Sequence, residues 1–304
     1  MAETTIEWTD KVWNPLRGCS RVSEGCQHCY AETMAGRFSG PGMPFDGLTR
    51  PTIHGRRWTG EVRLLPEKLN EPLGWKKPSR IFVNSMSDLF HESVPNDFIL
   101  RVWHTMSTTP RHTYQILTKR PERMMRVLNE FSEGRWMIER VSLGRDLPLP
   151  NVWLGVSVEN QAAADERIPL LLETPAAVRW ISAEPLLGPL DLREYLGCGH
   201  RIGETGGDIV CSICLEARVR DEPWLDWIVA GGESGPGARP MRPDWARSVH
   251  DQCQRASVPF FFKQWGAWTP NSLCDEKEEL MHRVGKKPAG AVLDGREWKE
   301  YPAK

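Results

Sequence analysis

The stretch Arg80-Ile-Phe-Val-Asn-Ser-Met-Ser-Asp88 opens a pattern that repeats along much of the chain. Its apolar start predicts a short buried strand, and the amphipathic run 97–106 that follows predicts a helix. A second apolar run, 113–118, comes soon after that helix. Apolar runs that alternate with amphipathic helices are typical of βα units whose strands form a parallel sheet buried on both faces. This stretch therefore predicts an α/β fold.

The same alternation continues towards the C-terminus, where helical patterns and apolar runs follow one another. The helical patterns lie at 121–129, 161–172 and 244–253, and the apolar runs lie at 151–157, 178–182, 227–231 and 259–263. Six or seven such units favour a barrel or partial barrel with parallel strands over a doubly wound sheet. No G-x-G-x-x-G sequence opens any of the helices, which also argues against a doubly wound dinucleotide-binding sheet.

Nearly every predicted strand ends in polar residues. In α/β barrels the active site lies at the carboxyl ends of the strands. A single polar exit is an ordinary solvated loop, but a whole set that includes carboxylates and lysines predicts a polar pocket at the barrel mouth. The exits are 84–88, 118–120, 157–160, 182–184, 231–234 and 263–265.

Upstream of these units, Trp13-Asn-Pro-Leu-Arg-Gly-Cys-Ser-Arg-Val-Ser-Glu-Gly-Cys-Gln-His-Cys29 carries three cysteines at a C-x6-C-x2-C spacing. Its proline and glycines predict a loop, and the sequence turns helical from Tyr30. A helix N-terminus favours thiolate over thiol. A structural zinc ion needs four protein ligands, whereas a cluster held by three cysteines leaves one iron open. We therefore predict a metal or iron–sulfur site at Cys19, Cys26 and Cys29 rather than three unrelated thiols.

The segment Gly18-Cys19 … Gly25-Cys26-Gln-His-Cys29-Tyr-Ala resembles the cysteine loop of radical S-adenosylmethionine (SAM) enzymes. The chain as a whole is similar to a phage and bacterial family of radical-SAM-like proteins, with further matches at 82–91, 116–121 and 231–235. The resemblance covers residues 5–270 and implies a partial (β/α) barrel. It implies a 4Fe–4S cluster on the three cysteines, SAM on the open iron, reductive cleavage of SAM to a deoxyadenosyl radical, and an electron donor as partner. One departure is that six residues, rather than three, separate the first two cysteines.

SAM carries an amino group, a carboxylate, a ribose diol and a sulfonium, and these groups suggest cofactor-binding residues. Ser85, Ser87 and Asp88 follow an early strand, close to where the family binds the amino end, and the carboxylate of Asp88 is suited to accept from an ammonium. Glu159 is a candidate for the ribose hydroxyls. The segment 231–233, Gly-Gly-Glu, comes five strands later and is not assigned to the amino group.

Further exits supply candidates for the rest of the site. Lys119 or Arg120 is expected to pair with the SAM carboxylate or with a substrate phosphate. Glu184, Glu233 and Lys263 are then the candidate catalytic residues that face the substrate. Each of these residues, taken alone, is equally well explained as a surface ion pair or a strand-end cap.

A second group of metal-ligating residues interrupts the alternation at about 195–218. Cys198, His200, Cys211 and Cys214 provide a complete tetrahedral ligand set, which predicts a zinc-knuckle-like insertion in one βα loop. A second iron–sulfur cluster is the alternative for these residues. Cys253 lies on a helical pattern and is predicted to be a core residue.

The domain organisation predicted from these patterns is one barrel with a short extension. Residues 1–270 form the radical-SAM-like partial barrel with its metal-knuckle insertion. Residues 271–304 begin with a charged, irregular run, which predicts a loosely packed C-terminal tail.

Composition limits the class of protein. Hydrophobic content of 40% and charged content of 26% are those of a globular chain, and the net charge of −1 gives no overall field that attracts nucleic acid. The sequence shows no secretory signal and no long apolar run, so we expect a cytoplasmic protein with no membrane partner. In that compartment clustered cysteines indicate metal binding or catalysis more often than disulfides.

Two alternatives to a radical SAM enzyme stay open. A non-catalytic, metal-containing nucleic-acid-binding protein is supported by Arg50, Arg56, Arg57 and Arg63 and by the basic run 119–126, which are candidates for phosphate contacts. The second alternative is a degenerate barrel whose cluster has only a structural role. If the protein is an enzyme, its sequence motifs do not identify the substrate. The knuckle, the basic runs and the phage association favour a nucleic-acid base.

Overall fold

A computed structural model of the chain describes residues 4–53, 55–132, 147–197, 223–270 and 281–303. Cys198, His200, Cys211 and Cys214 lie outside these residues. The zinc-knuckle insertion therefore stays a prediction of the sequence.

The helices and strands of the described residues alternate as the sequence predicts. The helices are α1 (Tyr30–Arg37), α2 (Asn96–Thr108), α3 (Pro121–Ser132), α4 (Gln161–Leu172), α5 (Pro243–Ala256) and α6 (Lys286–Ala289). The strands are β1 (Lys11–Trp13), β2 (Leu16–Arg17), β3 (Thr49–Thr52), β4 (Gly55–Trp58), β5 (Arg63–Leu64), β6 (Arg80–Val83), β7 (Thr113–Thr118), β8 (Val152–Ser157), β9 (Val178–Ala183), β10 (Trp227–Gly231), β11 (Phe260–Gln264), β12 (Trp268–Pro270), β13 (Met281–Arg283), β14 (Val292–Leu293) and β15 (Arg296–Glu297). Among these helices, none combines the length and the apolar character needed to cross a bilayer.

Seven parallel strands form the main sheet, in the order β1-β6-β7-β8-β9-β10-β11. The fold is an α/β partial (β/α) barrel, which confirms the predicted fold class. Every residue of β8 and of β10 is buried, as expected for strands covered on both faces. Strand β1 was not predicted, because three residues are too few for a periodic signal. It pairs in parallel with β6, and Trp13 lies beside Val83.

The chain divides into two compact units. The first unit comprises Met1–Ser157 and Thr174–Ala177, and the second comprises Val158–Glu173 and Val178–Lys304. Aromatic side chains fill the core of the first unit. The ring of Trp103 lies 6.1 Å from that of Phe90, and all but 2% of its surface is buried.

The second unit has contacts with residues that the sequence analysis placed in a loose tail. Tyr301 stacks on Trp227 with ring centroids 5.4 Å apart, and the backbone N–H of Phe262 donates to the carbonyl of Trp298 at 2.9 Å. Most residues of 281–303 are half-buried or exposed. The predicted tail relied on the charged run at 275–279 and did not consider these two aromatic residues, and the domain bounds stay a prediction.

Candidate functional site

The three cysteines lie on a loop of the first unit, residues 18–29, which we call the cysteine loop. Cys19 follows β2, Cys26 ends a 3-10 turn, and Cys29 is the N-cap residue of α1. The N–H of Cys29 donates to the carbonyl of Cys26 at 3.4 Å. All three thiols are free and half-buried. The loop thus presents three thiols around the N-terminus of one helix.

Gly18 fixes the start of the cysteine loop. Its φ is +91°, and a Cβ at this position would lie 2.2 Å from the carbonyl oxygen of Glu61. Gly18 also forms a parallel bridge with Ser87, just beyond β6. Only glycine combines this conformation with this close approach of the two backbones.

The thiol of Cys19 has a raised pKa. Burial, followed by the charge of Asp88, raises the pKa of Cys19 to about 12, while the guanidinium of Arg120 opposes the shift. Nη1 of Arg120 lies 4.0 Å from Sγ of Cys19. Cys26 and Cys29 add to the increase, because the three sulfurs are close enough to repel one another as thiolates. The positive charge of a bound metal group would attract all three thiolates and so offset their mutual repulsion.

The thiol of Cys29 shows the competition between burial and the helix terminus. Burial raises the pKa of Cys29, while the backbone N–H groups of Glu32 and Ala31 and the charge of Lys119 act to lower it. The helix N-terminus therefore favours thiolate, as the sequence suggests, but burial outweighs it. The thiol is a strong ligand once it is deprotonated by a metal.

The number of thiols bears on the type of metal group. Among the residues described here, no group of three or more His, Cys, Asp or Glu side chains is arranged to hold a metal ion. A structural zinc ion takes four protein ligands, whereas a 4Fe–4S cluster held by three cysteines leaves one iron open. The assignment of Cys19, Cys26 and Cys29 as metal ligands stays a prediction of the sequence.

Glu32, which the sequence analysis did not select, holds the cysteine loop in place. Its carboxylate is 1% exposed and accepts from Nη2 of Arg21 at 2.6 Å and from Nη1 of Arg57 at 3.0 Å. It also accepts from the backbone N–H of Trp58 at 2.7 Å. Arg21 belongs to the cysteine loop and Trp58 to β4, so a single buried carboxylate connects the loop, α1 and the β3–β4 hairpin.

Replacing Glu32 with glutamine is expected to lower the free energy of unfolding by about 2–4 kcal/mol, because two arginines lose the charge that they share in a buried setting. Urea denaturation measures the change. Glu24→Gln removes the same charge from an exposed position of the loop and is expected to stay within about 0.5 kcal/mol of the unaltered protein. Equal losses in the two variants would contradict an anchoring role for Glu32.

Asp88 is the centre of a second buried network, beyond β6 and β7. Its carboxylate accepts from Oγ1 of Thr118 at 2.8 Å, from the backbone N–H of Lys119 at 3.2 Å and from that of Phe90 at 2.9 Å. It also pairs with Nη1 of Arg120 at 3.0 Å, and both side chains are less than a tenth exposed. Groups of the chain itself already donate to this carboxylate. The assignment of Asp88 to a SAM ammonium therefore stays a prediction.

Arg120 connects this network to the cysteine loop. Its Nη2 donates to Oγ of Ser20 at 2.7 Å and to the carbonyl of the same residue at 3.3 Å. Its Nε donates to Glu92 at 2.9 Å. His91 lies 2.9 Å from the same Ser20 hydroxyl, and burial together with the charge of Arg120 lowers the pKa of His91. Arg120 therefore holds the residue next to Cys19.

The remaining predicted cofactor-binding residues of the first unit also adjoin the loop. Oγ of Ser85 lies 3.3 Å from the amide of Asn14, and Oγ of Ser87 donates to the carbonyl of Leu16 at 3.0 Å. Lys119 is half-buried, and its charge reaches Cys29. The structure thus brings Ser85, Ser87, Asp88 and Lys119 together around the cysteine loop.

Asn84 was only part of a predicted strand exit, but the structure makes it a candidate ligand contact. Its side chain is 3% exposed, its φ is 66°, and within the described part of the chain neither its amide nitrogen nor its oxygen has a hydrogen-bond partner. Buried polar groups are normally satisfied by protein, water or ligand. Asparagine tolerates the left-handed conformation, but the sequence alone does not reveal that it occurs here.

In the second unit, the predicted catalytic residues fall into two ion pairs. Nζ of Lys263 donates to both oxygens of Glu184 at 2.8 Å, and Nε2 of Gln264 donates to the same carboxylate at 3.2 Å. Glu233 pairs with Arg239 at 2.8 Å and accepts from its backbone N–H at 2.9 Å. The structure thus brings Glu184 and Lys263 together, while an arginine holds Glu233.

Glu159, predicted to bind the ribose, is in a different environment. It pairs with Arg167 of α4 at 3.0 Å, and both side chains are 2% exposed. A carboxylate this deeply buried and neutralised by an arginine is typical of a structural ion pair. Its assignment to a ribose stays a prediction.

The basic runs mainly support the protein's own structure. Arg57 pairs with Glu32, Nε of Arg56 donates to Thr49 at 2.9 Å, and Nη2 of Arg63 donates to the carbonyl of Asp46 at 2.7 Å. In the second run, Arg120 is buried and Nη2 of Arg123 donates to Asn96 at 3.0 Å. These contacts weaken the case for two phosphate-binding surfaces.

Comparison with known proteins gives a family and a set of similar folds. A family model described as "Protein of unknown function (DUF5131)" matches residues 3–302. None of the curated proteins matches the chain. A solved structure of a spore photoproduct lyase mutant is similar over 94% of this chain and 71% of that one, with 10% identity and a TM-score of 0.42. The same lyase in complex with dinucleoside spore photoproduct is similar over 90% of this chain and 67% of that one, with 10% identity and a TM-score of 0.38. At this level of similarity the neighbours assign no function to the chain.

Proposed function

This chain belongs to the family described as "Protein of unknown function (DUF5131)", and we propose that it is a radical SAM enzyme with a 4Fe–4S cluster on Cys19, Cys26 and Cys29. The observation that carries the proposal is the arrangement of three interacting thiols around the start of α1, none of them paired in a disulfide. Three cysteines on one loop also match the ligand number of a cluster that keeps one iron open. A cluster held by Cys19, Cys26 and Cys29 would supply the electron for reductive cleavage of SAM.

The chain's own residues prepare the loop for an anionic thiolate group. Arg120 places a buried positive charge 4.0 Å from Cys19, and Lys119 acts on Cys29. Both charges favour the deprotonated sulfurs that ligation requires. Arg120 is already bonded to Ser20 and Asp88, so Lys119 is left as the cation for the SAM carboxylate.

Asn84 strengthens the proposal for the amino-acid end of SAM. Its side chain has an amide donor and a carbonyl acceptor that have no partner among the described residues. An amino group and a carboxylate need both kinds of partner. Ser85 and Ser87, beside it in the sequence, are half-buried, and we propose that Asn84 contacts the ligand together with them, whereas the carboxylate of Asp88 pairs with Arg120.

On the substrate side, Glu184 and Lys263 are the residues that we propose to face the target. They are 18% and 14% exposed, so water and small groups reach them, and the pair is able to accept or donate a proton. Glu233, held by Arg239, is proposed to orient the same region. A nucleic-acid base is the proposed class of target, on the grounds given by the sequence.

Metal and sulfide analysis of protein purified without oxygen tests the proposal. We expect about four irons and four sulfides per chain and, after reduction with dithionite, conversion of SAM to methionine and 5′-deoxyadenosine. One additional zinc would support the ligand set of Cys198, His200, Cys211 and Cys214. Zinc without iron, even after anaerobic reconstitution with iron and sulfide, would overturn the proposal in favour of a zinc-stabilised binding protein.

A further inference from the structure

Two consecutive side chains of β11 contact the same carboxylate in the second unit. Nζ of Lys263 donates to both oxygens of Glu184 at 2.8 Å, and Nε2 of Gln264 donates to Oε1 of Glu184 at 3.2 Å. In a regular strand, successive side chains point to opposite faces of the sheet. A regular β11 would therefore direct only one of these two side chains towards Glu184.

A β-bulge at the end of β11 brings both side chains to one place. Phe262 pairs with Ala230, but the next pair along the two strands joins Gln264 to Gly231, so Lys263 is the extra residue on β11. Bulges bend the strand and re-aim its side chains, and they are common next to active sites. The bulge thus places the ammonium of Lys263 and the amide of Gln264 around one carboxylate.

The amide of Gln264 is only half satisfied. The residue is 4% exposed, and its Oε1 is buried without a hydrogen-bond partner in the described part of the chain. An ionised carboxylate only accepts, so the nitrogen of the amide has to face Glu184. A buried polar atom without a partner calls for an explanation. Because this oxygen is closed off from solvent, the explanation lies in what the nitrogen does for Glu184.

The Glu184–Lys263 pair keeps one acceptor position and one donor position unused. A carboxylate has about four lone-pair positions, and contacts among the described residues use two on Oε1 and one on Oε2. The ammonium of Lys263 has a further N–H group beyond those that it directs to Glu184. The side chains of Glu184 and Lys263 are 18% and 14% exposed, so a ligand reaches them from solvent.

We propose that the Glu184–Lys263 pair binds the edge of a nucleic-acid base, with Gln264 as the positioning residue that holds the carboxylate in place. The inference rests on the proposed function and names the part of the target that the pair contacts. The bases carry hydrogen-bond donors and acceptors side by side on their edges. A base N–H donates to Oε2 of Glu184, and the neighbouring carbonyl oxygen or ring nitrogen accepts from Nζ of Lys263.

Other ligands fit this pair less well. A phosphate group presents acceptors and negative charge, so Glu184 would repel it while Lys263 attracts it. A metal cation needs the carboxylate oxygens, but the ammonium of Lys263 already contacts both of them. A neutral edge with one donor and one acceptor uses both free positions and leaves the ion pair intact.

Binding of nucleosides to the unaltered chain, followed by NMR, tests whether the pair recognises a base edge. The probes are uridine, cytidine and guanosine, and adenosine is omitted because SAM contains it. The nucleoside that binds most tightly is expected to lose roughly tenfold in affinity when its donor nitrogen is methylated, as in 3-methyluridine, because a hydrogen bond to a charged group is lost. Ribose 5-phosphate, which carries a phosphate but no base, is expected to bind more weakly than this nucleoside.

A double-mutant cycle tests the positioning role. Gln264→Met removes the amide while keeping an unbranched side chain, and it is expected to weaken nucleoside binding roughly fivefold or more. Glu184→Gln is also expected to weaken binding. When Glu184→Gln is already present, Gln264→Met is expected to change the affinity by less than about twofold, because Gln264 acts through Glu184.

Gln252→Met is the matched control. Gln252 of α5 is 7% exposed in the same unit. Its Nε2 donates to the carbonyl of Leu190 at 2.8 Å, and its Oε1 accepts from the backbone N–H of Leu192 at 2.6 Å. The control variant therefore removes another buried amide, one that supports the backbone. We expect unchanged nucleoside affinity, and urea denaturation of all variants measures their stability separately.

Equal affinity for the nucleoside and its methylated derivative would overturn the base-edge proposal, as would the absence of nucleoside binding. Tighter binding of ribose 5-phosphate would overturn it in favour of a phosphate site. An equal loss from Gln264→Met with and without Glu184→Gln would overturn the positioning role. Failure of the protein to take up iron would instead overturn the proposed function, while nucleoside binding by the unloaded chain would still report on the pair.

Discussion

Replacing any one of Cys19, Cys26 and Cys29 with alanine is expected to reduce the iron content from about four atoms per chain to fewer than about one, and to abolish SAM cleavage. Two sulfur ligands do not hold a cluster against loss to solvent, and the open iron that binds SAM disappears with it. Iron and sulfide analysis after anaerobic reconstitution, with the visible absorption spectrum, measures the first effect. Release of 5′-deoxyadenosine measures the second.

Cys253→Ala is the matched control for these three variants. Cys253 is completely buried in α5 of the second unit, far in sequence from the cysteine loop, and burial raises the pKa of its thiol, so it is a core residue. We expect this variant to keep its iron. Full iron content in any of the three loop variants would contradict the assignment of that cysteine as a ligand.

The sequence predicts strands β6 to β11 and the described helices between them well because these strands are mainly apolar runs. All six residues of β8 are buried, so the strand can be recognised from its own apolar sequence without knowing which strand it pairs with. Strand β1 gives no such signal, since its three residues depend on pairing with β6. The contacts of residues 281–303 were missed because Trp298, which is half-buried, follows a charged run and meets Phe262 only in the folded chain.

For the candidate site, the sequence reveals the three proposed metal ligands more readily than the residues that hold the cysteine loop in place. Three thiols within eleven positions stand out by spacing alone. Glu32 and Arg120 do not, because Glu32 meets Arg57 across 25 residues of sequence and Arg120 meets Ser20 across 100. Contacts between residues so far apart in the sequence form only when the chain folds, so the sequence alone does not reveal them. Asn84 belongs to a predicted strand exit, but its left-handed backbone and unpaired amide are properties of the folded chain.

Replacing Arg120 with leucine is expected to lower the free energy of unfolding by about 3–5 kcal/mol, the range seen when one partner of a buried ion pair is removed. The carboxylate of Asp88 would stay buried with its hydrogen bonds from Thr118 but without a counter-charge, and Ser20 would lose two donors. Because Ser20 adjoins Cys19, we also expect weaker iron uptake. Urea denaturation and iron analysis measure the two effects separately.

Two further variants distinguish the charge of Arg120 from its shape. Arg120→Lys keeps the charge but loses the planar fork that contacts Asp88 and Ser20 together, so a loss of about 1–2 kcal/mol is expected. Adding Asp88→Asn to Arg120→Leu removes the unpaired charge and is expected to recover part of the stability, since the two residues are directly coupled. If the double variant is as unstable as the sum of the single variants, the ion pair does not connect β6 and β7 to the cysteine loop. Arg120 would then act through its contacts with Ser20 and Glu92 rather than through Asp88.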